Sequence, residues 1–245
     1  MDYYGITDRG IVRKQNQDAF LCEKIRLINA ALLIVCDGMG GAKSGNVASR
    51  MALETFKEEI ENGLNLFCDE KAVAALMKKA AERANTAVLS KGRTDPACSG
   101  MGTTLVAAIV LEGGAVILNV GDSRAYLISR TERIRQITRD HSVVEDMIQR
   151  GEITRAEAKT HPNRNLITQA IGTSDNVECD IFYTPMQKND ILMLCSDGLT
   201  NIVDDEIMSH EILKSEDLRV CCEGLVHETV VRGAPDNVTA VLYRK

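Results

Sequence analysis

Two apolar runs in this chain end alike: "LLIVCDGMGG" at residues 32–41 and "LMLCSDGL" at 192–199 each run into an aspartate followed by glycine. Runs so rich in aliphatic and β-branched residues read as strands covered on both faces. An acid at the close of a buried strand is costly unless something compensates its charge. The glycines let backbone come close to whatever does so. Two such ends can set Asp37 and Asp197 against each other, and hard divalent cations are the compensation expected.

Other acids occupy comparable places. Asp122 terminates "VILNVGD", Asp236 opens the last strand in "PDNVT", and Asp18 opens the strand after "RKQNQ". Each alone reads as readily as a cap or turn residue, and only the shared pattern points to a cluster. Converging without cations, the five would repel one another, their pKa values would rise, and some would stay protonated. Oxygen ligands without Cys or His at ligand spacing favour Mg²⁺ or Mn²⁺ over zinc or copper.

Periodicity supplies the frame. Strand-like runs at 18–24 and 30–37 precede helical stretches at about 44–60 and 69–90, each with its apolar residues near one face. "TTLVAAIVLE", "AVILNVGD", "SRAYLIS" and "RIRQIT" are spaced like an antiparallel meander. A polar helical stretch at about 143–162 reads as a flap, and its excursion extends to about 168. Strands "VECDIFYTP" and "DILMLCSD", helices at about 204–213 and 217–232, and a strand in "DNVTAVLYRK" complete an α+β order. No linker rich in Pro, Gly or Ser divides residues 1–245, so one domain is expected.

Several function classes are disfavoured. The longest apolar runs fall short of the roughly 18 residues of a membrane span, and the N-terminus lacks a signal pattern, so a soluble cytoplasmic protein is expected. The net charge of -6 is interspersed rather than blocked, which argues against a nucleic-acid surface. The eight cysteines show no C-x-x-C pair and read as reduced, mostly buried thiols. "GGAKSG" fails the spacing of a phosphate loop, and no calcium loop fits around "CSDGL".

"TDRGIVRKQNQDAF", "VCDGMGG", "GMGTTLV", "VGDSRAYL", "RDHS", "HPNRNLITQAIG", "CSDGL" and "DNVTAV" occur in an order and approximate spacing similar to the metal-dependent type 2C protein serine/threonine phosphatases. "DGMGG" and "GDSR" resemble the compact bacterial members, and the resemblance covers essentially the whole chain. It implies an αββα sandwich, two central β-sheets with a pair of helices outside each, and a metal cluster in a channel at one end. Asp37 is then implied to bridge two metals, with the Gly38 carbonyl on the second and Asp197 and Asp236 on the first. Asp18 is implied at the second site directly or through water, and Asp122 with Asp197 at a weaker third site.

The implied cofactors are two or three Mn²⁺ or Mg²⁺ ions. The implied reaction is hydrolysis of phosphoserine and phosphothreonine by a water shared between two metals, with no covalent intermediate. Arg13 is implied to grip the phosphate with its planar fork, and Arg164 in "HPNRN" is a further substrate-binding candidate. The implied partners are phosphorylated proteins, a Ser/Thr kinase and its targets, with the phosphatase as a monomer.

Two positions depart from the family pattern. Met39 stands where many relatives outside bacteria have His, which leaves a metal-bound water, or else His141 in "RDHS", as the acid for the leaving group. Gln17 stands where Glu is common, which bears on the second metal. Gly102, Thr103 and Thr104 read as scaffold for the channel floor, Ser123 and Arg124 as residues that orient Asp122, and His210 and His227 as facing solvent or core. A catalytically silent phosphoprotein-binding module is the alternative from another class. The branch acting on anti-sigma-factor antagonists ranks lower, because it generally lacks the Arg seen here as Arg13.

Overall fold

The computed structural model describes residues 2–25, 30–66 and 68–245, with 41–43 as backbone only. One sheet runs in the order β1 (Asp2–Asp8), β11 (Val238–Arg244), β10 (Ile191–Cys195), β7 (Arg124–Ser129) and β8 (Arg133–Gln136). The other runs β2 (Asp18–Ile25), β3 (Ala30–Met39), β5 (Leu105–Val110), β6 (Gly114–Val120) and β9 (Asp180–Pro185), with the short β4 (Gly102–Thr103) on the end of β3. Every pairing is antiparallel.

Alternation along β3 explains the layering. Ala30, Leu32, Ile34 and Cys36 pack outward in a core shared with Phe56 and Ile60 of α1 (Gly41–Gly63) and Met77 and Val88 of α2 (Glu70–Thr94). Ala31, Leu33 and Val35 point the other way, into a core with Leu192, Leu194 and Val241 of the facing sheet. Strand β10 repeats the device: Ile191, Met193 and Cys195 pack against α6 (Asp205–Leu213) and α7 (Leu218–Val231). An unbroken apolar run is what two buried faces require, and each fully buried Leu contributes about 1.5–3 kcal/mol. The αββα sandwich is therefore as expected.

The meander is not. β5 and β6 stay in one sheet, whereas β7 and β8 belong to the other, so the chain crosses between sheets at Gly121–Asp122–Ser123. Gly121 has φ +106, and a Cβ there would lie 2.6 Å from Thr104 Cγ2. Only glycine makes this crossing without strain, and the crossing carries Asp122 to the end of the sandwich. Helix α1 likewise begins at Gly41 rather than near Ser44, launched by left-handed Gly40 at φ 117.

The stretch read as a flap holds two short helices, α3 (Val143–Gln149) and α4 (Arg155–Ala158), joined by an Arg155–Glu145 ion pair and started by a Thr154/Glu157 capping box. Its return is tied to the body by Val143 N–H to Leu166 O and Thr168 N–H to His141 O. All eight cysteines are free thiols, five of them buried. Among the described residues no helix is long and apolar enough to cross a membrane.

Candidate metal centre

At one end of the sandwich the strand termini surround a channel of about 910 Å³. Asp37, Asp122, Asp197 and Asp236 all line it, together with Gly38, Arg13 and Arg164. Asp37 reaches it from the end of β3, Asp122 from the crossing after β6, Asp197 from the first position of α5 (Asp197–Thr200), and Asp236 from the turn before β11. Asp18 does not line the channel; it is buried opposite Asp37 in the β2–β3 register.

Neutral donors and acceptors hold Asp37, Asp197 and Asp18. The Asp37 N–H donates to Thr104 Oγ1 (2.9 Å), and the Asp37 carbonyl accepts from Thr104 N–H and Thr103 Oγ1, both at 2.9 Å. Asn201 Nδ2 donates to Asp197 Oδ2 (2.9 Å), and Ser196 Oγ and Thr239 Oγ1 donate to Asp18 Oδ2 at 2.8 and 2.5 Å. Asp236 has a charged partner as well: Arg13 Nη2 donates to its Oδ2 at 2.6 Å, and Asn237 N–H donates to its Oδ1 at 2.8 Å.

Burial raises the carboxyl of Asp18 to about 7, against the two hydroxyls that lower it and with Asp197 and Asp236 raising it further. Burial and then Asp197 raise Asp122 to about 8. Asp37 lies well above the usual carboxylate range, from burial first and then from Asp18, Asp197 and Asp122. Asp197 is raised by burial, against a hydrogen bond from Asp37 that lowers it. Without a cation, charge on these clustered acids is costly.

Divalent ions fit this set. Asp18 Oδ1 and Asp197 Oδ1 are buried with no hydrogen-bond partner, a costly state that a cation relieves. No His or Cys is among the described residues lining the channel, so the donors are hard oxygens. Among the described residues no three His, Cys, Asp or Glu side chains are gathered around one point. The acids ring a channel instead, which leaves room for water to complete the shell of a hard cation.

The charge burial has a measurable consequence. The folded, metal-free protein holds protons on Asp18 and Asp122 that the unfolded chain, near its ordinary 3.8, has already lost. Stability from these groups is complete below about pH 4 and is lost as pH climbs through 7 to 8. Chelator-treated protein is expected to melt at a lower temperature at pH 8 than at pH 6, and Mn²⁺ to raise the melting temperature more at pH 8. A metal-free melting temperature that is flat or rises across this interval contradicts the assignment.

Several residues act differently from their sequence reading. His141 does not line the channel: its Nδ1 accepts from Gly121 N–H (3.3 Å), leaving Nε2 to face Asp180 Oδ2 at 3.3 Å. It braces the crossing before Asp122 and stands away from the channel. Ser123 Oγ meets Thr104 Oγ1 at 2.7 Å, so it supports Asp37 rather than Asp122. Arg124 is bound to Asp140 by Nε–Oδ1 (2.8 Å) and Nη2–Oδ2 (2.7 Å), and reaches Asp122 and Asp197 only through its field, which lowers both. His210 and His227 are exposed, and Met39 lines the channel.

Asn237, which also lines the channel, is a supporting residue that sequence reading missed. Its Oδ1 accepts from Gln17 N–H (2.8 Å) and its Nδ2 donates to Arg9 O (2.9 Å) and Gln15 O (3.0 Å). This staple holds the loop that carries Arg13 beside Asp236. Ser196 and Thr239 were also missed, although each is a polar residue inside an otherwise apolar strand end.

A two-sheet sandwich flanked by helices, with an acid-lined channel at one end suited to hard cations, defines a metal-dependent hydrolase. The protein phosphatase 2C family model matches residues 11–219. The serine/threonine phosphatase Stp of Listeria monocytogenes is 38% identical over 240 residues, covering 98% of this chain and 94% of its own. The crystal structure of serine/threonine phosphatase Stp1 from Staphylococcus aureus superposes with a TM-score of 0.92 at 35% identity, covering 99% of this chain and 94% of that one. The catalytic domain of the serine/threonine protein phosphatase PstP, solved in complex with two manganese ions, does so at 0.84 and 31% identity, covering 98% and 96%. This chain belongs to the protein phosphatase 2C family of metal-dependent serine/threonine phosphatases.

Proposed function

We propose that this chain hydrolyses phosphoserine and phosphothreonine in proteins with two Mn²⁺ or Mg²⁺ ions held by Asp37, Asp197, Asp236 and the Gly38 carbonyl. Asp18 serves the second ion directly or through water, and Asp122 with Asp197 forms a third position. The observation that carries this reading is the convergence of four aspartates from distant strand ends on one channel, one of them with a buried, unpartnered oxygen. When bound, the ions supply a water deprotonated near neutral pH and positive charge for the phosphoryl oxygens.

The chain's own residues do the rest. Arg13 turns its guanidinium from Asp236 to two phosphoryl oxygens, a bidentate contact that orients the ester for in-line displacement. Thr103, Thr104 and Asn201 hold Asp37 and Asp197 in place, and Asn237 holds the Arg13 loop. Met39 has no proton to give and His141 is turned to Asp180, so the leaving alkoxide takes its proton from channel water. Arg164 reaches the substrate from the flap side of the mouth. Residues 1–245 work as one domain, a cytoplasmic monomer opposing a Ser/Thr kinase.

The test is phosphate release from a phosphothreonine peptide. Mn²⁺ is expected to switch the activity on and excess chelator to abolish it, with recovery on adding Mn²⁺ back. Equal turnover with and without chelator would overturn the proposal, as would Mn²⁺ binding with no turnover.

A further inference from the structure

Among the described residues eight large apolar side chains are strongly exposed, and three of them, Ile11, Val12 and Leu166, sit on two loops that flank the channel mouth. Val12 is 67% and Leu166 53% exposed. Val12 immediately precedes Arg13 and lines the channel, as do Arg164 and Ile167, the latter next to Leu166. Isolated exposed aliphatics are ordinary. These three are not isolated: they stand beside the two arginines that address the phosphate, on segments held in place by backbone hydrogen bonds, Ile11 N–H to Ala234 O and Leu166 N–H to Asn163 O.

Resting on the phosphatase reading above, we infer that this aliphatic rim is a specificity surface. It selects phosphopeptides with an aliphatic side chain within two positions of the phosphorylated residue. The argument is one of reach and continuity. With the phosphate at Arg13, an extended peptide advances about 3.3 Å per residue, so its first and second neighbours lie over the rim while the ester stays in the acidic interior. Charge on those neighbours meets opposite signs, the interior acids and the rim arginines, and gains little net. Aliphatic surface meets Val12 and Leu166 and is drawn out of water.

The experiment compares two phosphothreonine peptides of equal charge, one with Val at the neighbouring positions and one with Gly, under saturating Mn²⁺. The Val peptide is expected to have kcat/KM about tenfold higher, the size of effect that burying part of an aliphatic side chain gives. In a Val12→Ser/Leu166→Ser variant, at exposed positions that do not threaten folding, the ratio is expected to fall to about one. A ratio near one in the unaltered protein overturns the inference, as does a ratio the variant leaves unchanged. Light scattering settles the other occupant: a concentration-dependent dimer that the variant abolishes would assign the rim to a second copy and overturn it too. If neither peptide is turned over, the phosphatase reading fails instead, and the two failures stay distinguishable.

Discussion

Replacing Asp37 with Asn is expected to lower kcat/KM for a phosphothreonine peptide about 10³-fold while raising the melting temperature of the metal-free protein. The two effects have one cause. Asp37 sits at the centre of the acidic cluster, where burial and the neighbouring Asp18, Asp197 and Asp122 make its charge unwelcome. An isosteric amide removes that charge at any pH and can still donate a hydrogen bond to Asp197. Relief of about 1 kcal/mol at neutral pH corresponds to about 2–4 °C for a chain of this size. The amide cannot bridge two cations, so the activated water and the charge that stabilises the transition state are lost together. The order of melting temperatures therefore reverses on adding Mn²⁺, which raises the unaltered protein more than the variant. Scanning calorimetry with and without Mn²⁺, alongside the activity assay, checks both halves. Loss of activity with a lower metal-free melting temperature would indicate simple misfolding.

Arg13→Ala is expected to cost about 10²-fold in kcat/KM, and Arg13→Lys to recover only part of it. Lysine restores the charge but not the planar fork that two phosphoryl oxygens need. Stability changes little, because the Arg13–Asp236 pair is half exposed and such pairs contribute about 0–1 kcal/mol. Metal affinity separates Arg13 from the acids. Arg13 engages Asp236, so removing it leaves that carboxylate free for a cation, and calorimetry is expected to show Mn²⁺ binding as tight as before or tighter. Weaker Mn²⁺ binding in Arg13→Ala would mean that Arg13 organises the metal site rather than the substrate.

Much of the fold was legible because both faces of β3 and β10 are buried, which leaves an unbroken apolar run that ends abruptly in Asp-Gly. The helices α1 and α2 were legible from their period because each buries a single face. The sheet crossing at Gly121–Asp122 was not, since the motif reads equally well as a turn within one sheet and the choice depends on how Gly121 fits against Thr104. At the site, the aspartates announced themselves as charges where none belonged. Their supports did not. Asn237 reaches back more than two hundred positions to the Arg13 loop, and Thr239 as far to Asp18; in sequence such small polar residues look like any cap or turn. Their one signal is the phase of the strand, because Ser196 and Thr239 continue inward-facing positions otherwise held by aliphatic residues. His141 misled for the converse reason: a lone histidine near an acidic motif suggests proton transfer, while its two ring nitrogens are both occupied in bracing.

Crystals soaked in Mn²⁺ and measured at a wavelength where manganese scatters anomalously test the central claim most directly. Two strong peaks are expected inside the channel, both within bonding distance of Asp37, one also touching Asp197 and Asp236, with a weaker third between Asp122 and Asp197. A channel without peaks, or manganese bound only at acids elsewhere on the surface, would contradict it.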